Sequence, residues 1–88
     1  MKNNINIIIF MIILDLKRRK IMEEYENFLK KALEMKNQFD SVNFLSISQN
    51  ERSIIEKLKY EGLIKNIRYI GMFAVGFDIT YDGIHYFD

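Results

Sequence analysis

Hydrophobic positions between residues 49 and 61 recur at spacings of three and four, which predicts an amphipathic helix. The side chains that face inward on this helix are Ile54, Ile55 and Leu58. Ser48 and Glu51 have the spacing of a capping box, in which each side chain accepts a hydrogen bond from the other residue's backbone N–H. Gly62 follows and can take the left-handed conformation that ends a helix. We therefore expect a helix from about Gln49 to Glu61.

Two strand patterns follow this helix. The first runs from Leu63 to Ile70, and in the second large apolar residues alternate with smaller or polar ones, at Phe73, Val75, Phe77 and Ile79. A period of two predicts a strand with one buried face. The two runs are joined through Gly71 and Gly76. Thr80 is expected to cap a short terminal turn, from which Ile84 and Phe87 fold back on the core.

An apolar stripe from Met22 to about Asn37 predicts the first helix of the domain. Its inward positions are Tyr25, Phe28, Leu29, Ala32, Leu33 and Met35 or Lys36. Glutamates early in this stretch and lysines later in it suit the helix dipole. Asp40 or Ser41 is expected to cap a short second helix that carries Val42, Phe44 and Leu45. That segment would be the first helix of a helix-turn-helix, and the helix at 49–61 would be the second.

Residues 1–21 differ in composition from the rest of the chain. Eight consecutive apolar residues begin at Ile7, and the basic run Lys17–Lys20 follows them. The apolar run is shorter than the roughly 20 residues of a membrane-spanning helix, and no cleavage site of small residues follows it. A buried strand or helix, or an arm that drives dimerisation, is one interpretation. The other is a natural start at Met22, because a translated ribosome-binding site would encode such a basic run.

The chain has 88 residues, which allows a single small domain. It has no cysteine, so disulfides and thiolate metal sites are excluded, and a cytoplasmic location is expected. Residues 1–21 hold five basic residues and one acidic residue, whereas residues 22–88 hold eight basic and eleven acidic residues. The globular part therefore has a net charge of −3. It lacks the excess of lysine and arginine that gives proteins nonspecific affinity for DNA phosphates.

The hypothesis of DNA binding rests on the helix at 49–61. Its N-terminal residues would meet base edges in the major groove, and other basic residues would contact phosphates. The candidate groove residues are Gln49, Asn50, Arg52, Ser53 and Lys57, and the candidate phosphate contacts are Lys65 and Arg68. Glu51, Glu56 and Glu61 offset the basic residues of the same helix. A solvated helix face that is balanced for solubility is therefore the alternative interpretation.

Other candidate chemistry is sparse. His85 is the single histidine, and without a cysteine or a second histidine it is better explained as a residue at the rim of an aromatic core than as a metal ligand. The sequence shows no nucleophile–base pair, phosphate-binding glycine loop or paired-carboxylate motif, so we expect no enzyme, cofactor or small-molecule substrate. A stacking surface for single-stranded nucleic acid is a less favoured role for Tyr60, Tyr69, Tyr81 and Tyr86.

The C-terminal motif, Ile79-Thr80-x-x-Gly83-x-x-Tyr86-Phe87, resembles the end of many winged helix-turn-helix domains. With the first helix, Tyr25–Leu33, and the helix end at Glu61–Ile64, the chain most resembles the YjcQ-like small proteins of Gram-positive bacteria and their phages. The resemblance covers roughly residues 22–88. It implies an α+β fold with three helices, a β-hairpin wing and a short terminal helix. The hairpin tip departs from the pattern because it is short and has no basic residue.

Two functional hypotheses follow from these observations. The leading hypothesis is a winged-helix transcription regulator of bacterial or phage origin that binds double-stranded DNA as a homodimer. The second is a protein-interaction module, such as a phage-encoded inhibitor of a host factor. The net charge of −3 over residues 22–88 and the uncharged hairpin tip favour the second hypothesis. Neither hypothesis predicts an association with membranes.

Overall fold

The computed structural model describes residues 22–88, which form an α+β domain. Helix α1 is described over residues 22–35, and the elements that follow are β1 (Ser41–Ser46), α2 (Gln49–Tyr60), β2 (Ile64–Tyr69), β3 (Ala74–Ile79) and α3 (Tyr81–Ile84). The strands form one antiparallel sheet in the order β1-β3-β2. The interpretations of residues 1–21 concern a segment outside the described residues. Within residues 22–88, no helix is long and apolar enough to cross a membrane.

Helices α1 and α2 and the sheet share one hydrophobic core. The predicted stripe of α1 is confirmed at Tyr25, Phe28, Leu29 and Ala32, which are buried. Toward the end of the helix Leu33 is only partly buried and Met35 is exposed. Ile55 and Leu58 of α2 are fully buried, as their spacing predicts. The ring centre of Phe28 lies 6.4 Å from that of Phe77, which belongs to the central strand β3. Each fully buried side chain of this size contributes about 1.5–3 kcal/mol to stability, so these contacts hold both helices to the sheet.

The prediction of a short helix that begins at Asp40 or Ser41 is wrong, because residues Ser41–Ser46 form strand β1 instead. Val42 pairs with Phe77 and Leu45 pairs with Val75, and the register shifts between these two pairs. This bulge lets two residues that are three positions apart both face the core. The same spacing is what an amphipathic helix would show, so the apolar pattern alone could not distinguish the two structures.

The strand pattern in β3 is confirmed only in part. Val75, Phe77 and Ile79 are buried as predicted, but Phe73 lies before the strand and is exposed. Gly76 is also buried, although it lies on the face of the sheet opposite the core. A Cβ atom at Gly76 would lie 2.7 Å from the backbone oxygen of Asn43, because the bulge in β1 brings that carbonyl close to the central strand. The glycine therefore permits the bulge.

The predicted ends of α2 are confirmed. The Ser48 N–H donates to Glu51 Oε1 at 3.0 Å, and the Glu51 N–H donates to Ser48 Oγ at 3.3 Å, which completes the capping box. Gly62 has a φ of 75°, in the left-handed region. At the C-terminus, Tyr86 rather than Phe87 packs on the core, with its ring 6.2 Å from that of Tyr25. Phe87 was predicted to fold inward, but it is exposed.

The Gly62–Leu63 turn, which ends α2, and the Thr80–Gly83 turn of the C-terminal motif contact each other directly. The Thr80 hydroxyl donates to the Gly62 carbonyl at 2.6 Å and accepts from the Gly83 N–H at 3.1 Å. The Thr80 N–H also donates to the Leu63 carbonyl at 3.0 Å. A Cβ atom at Gly83 would overlap that same Leu63 oxygen, so only glycine allows α3 to approach this closely. The residues of both turns therefore have a structural role, because their contacts join the end of α2 to the end of β3.

The Gly83→Ala variant should lower the free energy of unfolding by about 1–3 kcal/mol, because the added methyl group forces α3 away from Leu63. Urea denaturation measures this change. Asp82→Ala alters the exposed neighbour of Gly83 and is the control, with an expected effect below about 0.5 kcal/mol. If Gly83→Ala were as stable as the wild type, the close contact with Leu63 would be unimportant for the fold.

The fold should lose stability at alkaline pH through Tyr25. Burial, and then the charges of Glu61 and Tyr86, raise the pKa of Tyr25 from its ordinary value of 10.0 to about 12. Because the folded pKa lies above the unfolded one, the protonated phenol stabilises the fold below pH 10, and this contribution is lost as the pH approaches 12. Urea denaturation from pH 9 to pH 12 should show a smaller decline for Tyr25→Phe than for the wild type. Parallel curves for the two proteins would contradict this assignment.

Candidate interaction surface at the hairpin tip

The seven residues predicted to contact DNA lie on two different sides of the domain. Those on α2 that are exposed are Gln49, Asn50, Ser53 and Lys57, while Arg52 is partly buried. Lys65 and Arg68 pair in register with Asp78 and Gly76, so both point to the face of the sheet opposite the core. Helix α2 packs against the core face of the same sheet. The two predicted groups therefore do not form one continuous surface.

On that outer face, Arg68 is part of a hydrogen-bonded cluster around Asp78. The Asp78 carboxylate accepts from Ser41 Oγ at 2.6 Å and from Asn66 Nδ2 at 2.8 Å, with an Arg68 nitrogen 3.9 Å away. The hydrogen bond from Asn66, followed by the one from Ser41, lowers the pKa of Asp78. Arg68 Nη1 also donates to the Asn66 carbonyl at 2.9 Å. The guanidinium group is thus bonded to its own strand β2 and faces Asp78 of β3, and Asp78 in turn accepts a hydrogen bond from Ser41 of β1.

Arg52 joins α2 to the hairpin between β2 and β3. Its Nη1 donates to the Met72 carbonyl at 2.9 Å, and its guanidinium carbon lies 4.2 Å from the centre of the Tyr69 ring. The Tyr69 hydroxyl donates in turn to Glu56 Oε1 at 2.8 Å. Burial, and then this hydrogen bond to Glu56, raises the pKa of Tyr69. Two residues one turn apart on α2 therefore hold both the strand and the loop of the hairpin.

The loop that Arg52 holds is apolar and exposed. Met72 is 71% exposed and Phe73 is 63% exposed. The Ile47 N–H donates to the Phe73 carbonyl at 2.8 Å, and the Ile70 N–H closes the hairpin onto the Ala74 carbonyl at 2.9 Å. The backbone is thus bonded at several points while the side chains project into solvent.

A cavity of about 230 Å³ lies between the first turn of α2 and this loop. Its lining residues are Gln49, Arg52, Gly71, Met72 and Phe73. With the adjoining exposed side chains, the cavity forms a surface that we call the hairpin-tip surface, and its residues are Gln49, Arg52, Tyr69, Ile70, Met72 and Phe73. Of this set, only Gln49 and Arg52 were predicted to contact DNA, and Tyr69 was named only in the less favoured stacking surface. The other residues of the surface could have been found from one signal in the sequence. Two apolar residues directly follow Gly71, at a turn where polar residues are more usual.

Two wider depressions occur elsewhere on residues 22–88. One, of about 380 Å³, lies between α1 and α2 and is lined mostly by charged and amide side chains over Phe28 and Ile54. The other, of about 420 Å³, lies at the end of β3 beside Lys65 and α3. His85 borders this depression, but its ring already has two partners. The centre of the Tyr81 ring is 4.3 Å away, and the Asp88 carboxylate is hydrogen-bonded to His85 Nδ1. Neither depression combines an available charge with a continuous apolar wall.

The predicted stacking surface of four tyrosines is not assembled. Tyr69 lies under Arg52, Tyr81 contacts His85, and Tyr86 packs on Tyr25. Each of these rings therefore has a partner within the domain. Tyr60 is 90% exposed at the end of α2, away from those partners. An aligned series of rings for successive bases is absent from residues 22–88 as the structure describes them.

The chain matches no protein-family model, no curated protein and no solved structure. Its function must therefore be inferred from the contacts, exposure and charge of residues 22–88.

Arg52→Ala should lower the free energy of unfolding by about 1–2 kcal/mol, because it removes the hydrogen bond to Met72 and the stacking on Tyr69. Chemical denaturation with urea provides the measurement. Lys59→Ala, at an exposed position of the same helix, serves as the control and should change stability by less than about 0.5 kcal/mol. Equal effects of the two substitutions would mean that Arg52 does not secure the hairpin.

Proposed function

We propose that this protein is a protein-interaction module and that it docks a partner protein through the hairpin-tip surface. The observation that carries the proposal is the pair Met72 and Phe73, two large apolar side chains exposed side by side on a loop whose backbone is held by Arg52 and Ile47. An exposed apolar cluster on a well-bonded loop is a feature of binding sites, because it offers contact area without a large cost in conformational entropy.

The composition of the hairpin-tip surface supports this proposal. Protein interfaces are enriched in aromatic residues, methionine and arginine, and they are depleted in lysine, aspartate and glutamate. The surface contains Tyr69, Met72, Phe73 and Arg52, and none of its six residues is lysine, aspartate or glutamate. Binding energy usually concentrates in a few such residues near the centre of an interface. Phe73 and Arg52, which line the same cavity, are the expected anchors.

The charge of the domain also favours a protein partner over DNA. Residues 22–88 have a net charge of −3, whereas DNA affinity depends mainly on basic side chains that neutralise phosphates. Lys57 is drawn toward α1, with its nitrogen 5.1 Å from the centre of the Tyr25 ring. Arg68 is bonded within the outer face of the sheet. A duplex that approached α2 would therefore meet few available cations.

The order of elements supports the relation to winged helices that the sequence resemblance implies. Helix α2 is followed directly by a hairpin, and strand β1 completes a sheet in the order β1-β3-β2. In this relation α2 takes the place of the recognition helix and the loop at Gly71–Phe73 takes the place of the wing. We therefore keep a winged-helix-like, YjcQ-like module of bacterial or phage origin as part of the proposal. A strand, β1, stands where the first helix of the helix-turn-helix was expected.

A second candidate function is binding of double-stranded DNA as a homodimer. The exposed polar side chains of α2 favour it, since Gln49, Ser53 and Lys57 follow one another at intervals of four along the helix. Fluorescence anisotropy with random-sequence duplexes at low salt tests this function. Binding that weakens steeply with added salt would support it, and no binding at low salt would exclude it.

The double variant Met72→Ser/Phe73→Ser should lose the partner protein, with affinity falling by about 30-fold or more, because the anchors of an interface each contribute about 2 kcal/mol or more. Affinity capture with the tagged full chain from a lysate of the native host, with and without nuclease treatment, identifies the partner. Titration with the purified partner then measures the loss.

Met35→Ser/Phe39→Ser is the matched control, since these residues are an exposed methionine and an exposed phenylalanine outside the hairpin-tip surface. The control should bind like the wild type. If both double variants bind equally, the partner docks elsewhere. If every captured protein disappears on nuclease treatment, the proposal of a protein partner fails and DNA binding takes its place.

A further inference from the structure

Arg52 has an available positive charge inside the hairpin-tip surface. The ion pairs among the described residues 22–88 join Lys36 to Asp40, Arg68 to Asp78 and His85 to Asp88, and none of them includes Arg52. Glu56, one helical turn later, is bonded to the Tyr69 hydroxyl instead. A guanidinium group has five N–H donors, and Nη1 uses one of them on the Met72 carbonyl. The remaining donors have no carboxylate within the described part of the chain.

The same contacts orient this guanidinium group. Its carbon lies 4.2 Å from the centre of the Tyr69 ring, and Nη1 donates to the Met72 carbonyl. Because arginine presents its donors as a rigid planar fork, a guanidinium group held at two points favours an anion that can accept two parallel hydrogen bonds. The adjacent cavity of about 230 Å³ is lined by Arg52 itself, by Gln49 and by the loop residues Gly71, Met72 and Phe73.

We infer that this cavity binds the carboxylate of an acidic residue in the partner protein, and that an apolar residue next to that acid packs on Met72 and Phe73. The inference rests on the proposed function and specifies its partner as an acidic–apolar peptide segment. A carboxylate would pair with the charge of Arg52, which has no ion pair among residues 22–88, and the neighbouring apolar side chain would cover the exposed wall of the cavity.

A DNA phosphate fits this cavity less well than a carboxylate in a peptide. A duplex presents phosphates in series and needs several cations, but among residues 22–88 Arg52 is the only basic residue that lines the cavity. Lys57 lies over the Tyr25 ring, and Arg68 lies on the opposite face of the sheet. Apolar walls beside a single charge therefore match a peptide side chain rather than a sugar–phosphate backbone.

Selection of a displayed random-peptide library on the full chain tests the inference. The recovered peptides should share an aspartate or glutamate next to a large apolar residue, and their binding should be lost in Met72→Ser/Phe73→Ser but kept in Met35→Ser/Phe39→Ser. One recovered peptide is then synthesised with its acid and with the corresponding amide. Replacing the acid by the amide should weaken binding to the wild type by about 10- to 100-fold, the range for a hydrogen bond to a charged group.

Arg52→Lys provides a second comparison, because lysine keeps the charge but lacks the planar fork. The difference in affinity between the acid and amide peptides should shrink in Arg52→Lys and nearly vanish in Arg52→Gln. The peptide substitution leaves the protein unchanged, so the result does not depend on the stability of either variant.

The possible outcomes separate this inference from the proposed function. Peptides that depend on Met72 and Phe73 but have no shared acid would overturn the inference while supporting the docking surface. Equal affinities of the acid and amide peptides would do the same. Peptides that bind the Met72→Ser/Phe73→Ser variant as well as the wild type, or a library without enrichment over a blank surface, would overturn both. Retention of DNA duplexes with loss in Arg52→Gln would assign the cavity to phosphate.

Discussion

The contact between the Gly62–Leu63 turn and the Thr80–Gly83 turn determines how α2 is placed against the sheet. Thr80 bonds both residues of the first turn, and Gly83 approaches the Leu63 carbonyl more closely than any residue with a side chain could. This contact joins the last turn of α2 to the end of β3, which is the central strand of the sheet. Because the helix is rigid, this attachment at one end, together with the burial of Ile55 and Leu58 in the core, fixes the direction in which the first turn of α2 points.

That direction brings Arg52, in the first half of α2, to the hairpin loop. Its hydrogen bond to Met72 and its stacking on Tyr69 form a second attachment between the helix and the hairpin. The helix is therefore held to the hairpin near both of its ends. Met72 and Phe73 consequently project from a supported loop, and their exposed apolar surface is not a consequence of weak packing. We regard this support as the reason that the hairpin tip can act as a docking surface.

Local features of the sequence predicted much of the fold because they depend on residues close together in the chain. The capping box of Ser48 and Glu51, the helix end at Gly62 and the cap at Thr80 all form as their spacing indicates. Features that depend on distant residues were not predictable in this way. Strand β1 resembled a helix because Val42 and Leu45 are three residues apart, which is a helical spacing. A strand accommodates this spacing only through a bulge, and the bulge forms only against β3. The role of Arg52 depends on a carbonyl 20 residues later, which no local pattern reveals.

The central claim is that the apolar hairpin tip is held rigid before any partner binds. Backbone ¹⁵N relaxation of the isolated protein tests it most directly, through the order parameters of the Gly71, Met72 and Phe73 amides. The account predicts order parameters of about 0.85, the value of rigid backbone, and a decrease in Arg52→Ala. Values below about 0.6 in the wild type would show a flexible loop and would contradict the claim that α2 organises the docking surface.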